Sequence, residues 1–142
     1  PRLGVSVMRF VSLVVGCLAV ASALPADTPP CTQVQYAGEV VLRMRVGVGD
    51  QTPEARAVEV HQRLVEAISI INESKQPFDA DCVVVRRACA GTSYRHEVWF
   101  GNLRLVGVTE ADADANGCCT QQLAARWARN IRRALYTATH DC

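Results

Sequence analysis

Tyr94-Arg95-His96-Glu97-Val98-Trp99-Phe100-Gly101-Asn102-Leu103-Arg104-Leu105-Val106-Gly107-Val108 decides the fold. Two runs rich in β-branched and aromatic residues, Tyr94 to Phe100 and Leu103 to Val108, flank Gly101-Asn102. A two-residue loop that supplies positive φ between such runs makes an antiparallel hairpin. Upstream, Cys82 to Arg87 reads as a short β-branched strand, set off by a turn at Ala88 to Ser93 that contains Gly91. The hairpin therefore sits in a sheet of at least three strands.

Further upstream, Glu39 to Val48 alternates apolar Val40, Leu42, Met44, Val46 and Val48 with Val41, Arg43, Arg45 and Gly47. Period two predicts a strand with one apolar and one largely basic face. Thr52-Pro53-Glu54 then carries the signals of a helix start: a capping hydroxyl, a proline suited to the first turn, and an acid at the positive end of the dipole. Ala57, Val60, Leu64, Ala67, Ile68 and Ile71 share one face of that helix. Asn72 to Asp81, with Pro77, ends it. From Thr120 a last helix places Leu123, Trp127, Ile131, Ala134 and Leu135 on one face, with Arg126, Arg129 and Arg133 opposite. The order β-α-β-β-β-α predicts an α+β two-layer sandwich, mostly antiparallel, with two packed helices. The strand-helix-strand crossover makes the first two strands candidate parallel neighbours.

The N-terminal end predicts export. Met8-Arg9, the apolar run Phe10 to Ala21 and the small-residue pattern Ala21-Ser22-Ala23 read as a signal peptide over residues 1–23, cleaved after Ala23. An uncleaved anchor or a lipid-bearing Cys17 are the alternatives. Residues 24–38, with Pro25, Pro29 and Pro30, read as an extended leader, and residues 39–142 as one domain. No later segment is long and apolar enough to cross a bilayer, so the expected product is secreted or periplasmic, with no transmembrane segment after signal removal. Without Arg2 and Arg9 the charge is nearly balanced, thirteen Lys and Arg against fourteen Asp and Glu. That gives no electrostatic case for a nucleic acid partner.

Removal of the leader takes Cys17 and leaves Cys31, Cys82, Cys89, Cys118, Cys119 and Cys142, an even set expected to form disulfides in an oxidising compartment. Cys82 and Cys89 bracket an extended strand, so they do not pair with each other. Following the predicted sheet and the length of the last helix, the expected pairing joins Cys82 to Cys142 and Cys89 to Cys118 or Cys119. Cys31 takes the remaining member of the adjacent pair.

Three stretches together resemble a known family. They are Gly38-Glu39-Val40-Val41-Leu42-Arg43-Met44-Arg45-Val46; Thr52-Pro53-Glu54-Ala55-Arg56-Ala57 with Gln62-Arg63-Leu64; and Val98 to Ala113 continuing into Leu123-Ala124-Ala125-Arg126-Trp127-Ala128. In this order they are similar to the extracytoplasmic N-terminal domain that precedes the membrane channel in some bacterial, notably cyanobacterial, mechanosensitive channel proteins. The resemblance implies an interaction or sensing role, brings no catalytic residues, and does not extend to a channel portion.

Other candidate sites are few. Asp112-x-Asp114-x-Asn116-Gly117 copies the first half of a calcium loop, but position twelve is Leu123 where a bidentate Glu belongs. The competing reading is Thr109 capping a short helix with Asp112 three residues on. Asn72-Glu73-Ser74 is an N-glycosylation acceptor if the source is eukaryotic. His61, His96 and His140 are scattered, and a Cys–His nucleophile needs a free thiolate beside an imidazole. No residue is assigned to catalysis or to a cofactor. The expectation is a non-enzymatic, exported, disulfide-stabilised interaction or sensing domain with an unidentified protein or envelope partner. The alternative is a free secreted binding protein, such as an inhibitor or envelope-associated factor, with no membrane partner.

Overall fold

A computed structural model describes residues 31–140. The expected signal peptide, Cys17, most of the leader and Cys142 lie outside the described residues. The chain runs β1 (Thr32–Tyr36), β2 (Glu39–Met44), α1 (Pro53–Ser74), β3 (Val83–Arg87), β4 (His96–Phe100), β5 (Leu103–Val108), α2 (Glu110–Ala115) and α3 (Thr120–His140). A short 3-10 turn, Ala80–Cys82, leads into β3. The α+β class is as the sequence predicts.

The hairpin forms as predicted. Phe100 pairs with Leu103 across a two-residue loop in which Gly101 has φ 55°. A bulge between Val98 and Trp99 bends it. α1 also begins as predicted: Thr52 Oγ1 accepts from Ala55 N at 3.2 Å, ahead of Pro53. The apolar faces of both long helices are buried in one core with Val34, Leu42, Met44, Val83, Val98 and Val106. Each of the five residues expected on the inner face of α3 is buried.

Two expectations are corrected. Residues 32–36, read as part of the leader, form β1, which pairs antiparallel with β2. Ala37 and Gly38 both have positive φ, 49° and 77°, the signature of a tight two-residue hairpin turn. An Ala-Gly turn is a weak sequence signal because alanine seldom takes that conformation. Second, β2 is not a parallel neighbour of β3. The strands form two antiparallel sheets, β1-β2 and β3-β4-β5.

What joins the sheets is a buried side chain. The Arg56 guanidinium, in the first turn of α1, donates from Nη1 to Val46 O (2.7 Å), just beyond β2, and from Nη2 to Gly107 O (3.1 Å) in β5. The same two nitrogens meet Asp112 Oδ1 and Oδ2, each at 2.9 Å. Asp112 Oδ2 also accepts from the Thr109 amide and hydroxyl, both at 2.9 Å, which makes the capping box of α2. Arg56 is 3 % exposed and Asp112 1 %. A planar donor fork thus satisfies two backbone carbonyls and a bidentate carboxylate at once.

One surface carboxylate sets an acid limb of stability. Glu59 accepts from Gln51 Nε2 at 2.9 Å and pairs with Arg63 one turn along α1. The hydrogen bond from Gln51, aided by the charges of Arg63 and Arg104, holds its carboxyl below the ordinary value, against an opposing effect of burial. A lowered carboxylate pKa contributes stability that is present above the unfolded-state value and lost as pH falls through the folded one. Glu59→Gln is therefore expected to lower Tm near neutrality and to flatten its fall on acidification below about pH 4.5, so that variant and wild type converge in acid. An unchanged acid limb in thermal melts would count against this assignment.

Candidate functional site

β2 is bonded to a strand on one side only. Its other side borders a groove of about 450 Å³ whose far wall is the N-terminal half of α3 and the end of α2. Arg43 comes from the outward face of β2, Arg45 from just past its end (the strand expected to run to Val48 stops at Met44), and Arg126 and Trp127 from α3. Asn116 and Asn130 complete the walls. The two amides are structural: Asn130 Nδ2 donates to Val41 O at 3.0 Å and ties α3 to β2, while Asn116 Nδ2 donates to Asp112 O at 2.7 Å.

The arginines are the groove's chemistry. No Asp or Glu is among the described residues that line it. None of the three guanidinium groups makes an ion pair with a described carboxylate, unlike Arg56, Arg63, Arg95, Arg104 and Arg133. Arg45 Nε is buried and has no hydrogen-bond partner among the described residues. A buried charged donor without an acceptor is costly. The basic face of β2 and the arginines of α3 are each visible in sequence. That they face one groove is not, because Arg43 and Arg126 are more than eighty residues apart.

The remaining sequence candidates are dispersed. Asp112 is committed to Arg56 and Thr109, and Asp114 is exposed on α2, so the calcium-loop residues Asp112, Asp114 and Asn116 form a helix cap and its C-terminal turn. Asn72 is exposed in the last turn of α1. Cys31, Cys82, Cys89, Cys118 and Cys119 are unbonded thiols in the structure. Cys89 and Thr120 line one open cavity of about 900 Å³, to whose lining Cys118 and Cys119 do not belong. His96 lines the same cavity, its Nδ1 3.0 Å from Thr120 Oγ1. His140 lines a cavity together with Phe78, and its ring stacks on Tyr136. His61 packs 5.9 Å from the Tyr36 ring. Among the described residues no helix is long and apolar enough to cross a membrane.

Sequence reasoning missed Arg56. The available signal was its phase: Arg56 stands four residues before Val60 and next to Ala57, on the apolar stripe of α1.

A family model described as "Domain of unknown function (DUF8459)" matches residues 33–138. No curated protein and no solved structure matches the chain.

Proposed function

This chain belongs to the DUF8459 family, whose match at residues 33–138 contains both walls of the arginine groove, and we propose that the domain is a non-enzymatic interaction module that binds an anionic group there. The observation that carries this reading is the buried, unpartnered Nε of Arg45 in a groove that also holds Arg43 and Arg126 and no described carboxylate. Guanidinium groups with no internal acid keep their full attraction for an external one, and partial burial spares Arg45 some of the screening that weakens surface charges. The N-terminal export signature supports an extracytoplasmic setting, secreted or periplasmic. The resemblance to extracytoplasmic channel domains supports the same kind of role, interaction or sensing without chemistry. Disulfides at Cys89 with Cys118 or Cys119, and at Cys82 with Cys142, belong to that setting and would stabilise it by about 2–4 kcal/mol each.

The test is a chemical-shift titration of the folded domain with inorganic phosphate, glutarate and poly-glutamate at low ionic strength. At least one of these is expected to move the amides of Val40 to Arg45 and those around Arg126 together. The doubly substituted R43Q/R126Q protein, altered only at exposed positions, is expected to lose about ten-fold in affinity. If none of the three anions moves the groove amides, the reading fails.

A further inference from the structure

We infer that the anion taken by the groove is an extended acidic polypeptide segment carrying carboxylates at alternate positions, laid along the groove between β2 and α3. The inference rests on the anion-binding reading and adds the ligand's class and spacing. Arg43 lies on β2 and Arg45 is the residue just past its end, with Met44 between them still in the strand, so their Cα atoms are separated by about 6.5–7 Å. Alternate residues of any extended chain have the same repeat, and side chains two apart share one face. A segment running beside β2 therefore presents successive carboxylates to successive guanidinium groups. A single phosphate would need the two donors to converge on one point.

The groove is lined by Val40 to Arg43 of β2, by Arg45 just past it, and by Arg126 of α3. This side of β2 has no strand partner. Asn130 and Asn116 each use one amide N–H on Val41 O and Asp112 O, which leaves each side chain a carbonyl oxygen as acceptor and a second N–H. Acceptors beside cations suit a ligand that brings N–H groups as well as carboxylates. A peptide has both, and phosphate and sulfate have no N–H.

The test compares two blocked heptapeptides of the same composition by fluorescence anisotropy. One has Glu at its second, fourth and sixth positions with Thr between, and the other has the three Glu contiguous. The alternating peptide is expected to bind about ten-fold more tightly, with the preference lost in Arg43→Gln. Inorganic phosphate and phosphatidylglycerol vesicles enter as competitors. Equal affinity of the two peptides, or displacement of the alternating peptide by phosphate or by vesicles at equal charge concentration, overturns the inference and leaves the groove an anion site of another class. If neither peptide binds while phosphate or glutarate still moves the groove amides, this inference alone fails. If no anion moves them, the underlying reading fails with it.

Discussion

Arg56→Met is expected to lower the unfolding free energy by about 3–5 kcal/mol, because it leaves Asp112 charged and buried without its counter-ion. The substitution removes four hydrogen bonds from one guanidinium, two to Asp112 and one each to Val46 O and Gly107 O. Arg56→Lys is not a conservative alternative, since an ammonium has no planar fork to span a carboxylate and two carbonyls. The double variant R56M/D112L is expected to recover much of the loss by removing the stranded charge, although the Thr109 amide then loses its acceptor. Urea unfolding of the wild type, both single variants and the double variant gives the coupling energy. Additive losses would show that the pair does not couple the sheets. Val46 and Gly107 lie in segments that no strand ladder joins, so exchange of nearby amides should rise most there in Arg56→Met.

Trp127→Ala is expected to cost about 3–5 kcal/mol as a buried aromatic truncation. Trp127 is 3 % exposed, packs in the core and contributes to the groove between β2 and α3. The variant retains Trp99 as its one tryptophan, under the Arg86 guanidinium at 5.0 Å, so fluorescence still reports unfolding. Trp127→Phe should cost clearly less, because a smaller cavity is left. Equal stabilities for the two variants would mean that the α3–β2 seam relaxes around the gap.

Gly107 shows how a local reading stops short. In sequence it is a glycine near the end of a strand, which suggests a bulge or a close approach. In the structure a Cβ there would lie 2.4 Å from Tyr94 Cδ1, so the close approach is that of an aromatic ring from the same hairpin's entry. Arg104 in turn lies 5.3 Å from the Tyr94 ring centre and bonds Glu97 Oε1 at 3.1 Å, while Trp99 Nε1 donates to the other oxygen. The strand's alternation predicts that Glu97 and Trp99 share a face. It does not predict that Glu97 is buried at 8 % exposure beneath that cluster.

The sequence by itself determined the features whose physics is local. The Thr52-Pro53 start of α1, the Gly101-Asn102 hairpin, the Thr109–Asp112 cap and the apolar faces of both long helices depend on residues within one or two turns of each other. Tertiary structure alone decided that the strands divide into two sheets, that Arg56 and Asp112 close the seam between them, and that Arg43, Arg45 and Arg126 share a groove. The reason is that an arginine carries the same sequence signature whether it is solvated, buried on a carboxylate or left open for a ligand. Only the neighbours brought in by packing, a carboxylate for Arg56 and none for Arg45, separate these roles.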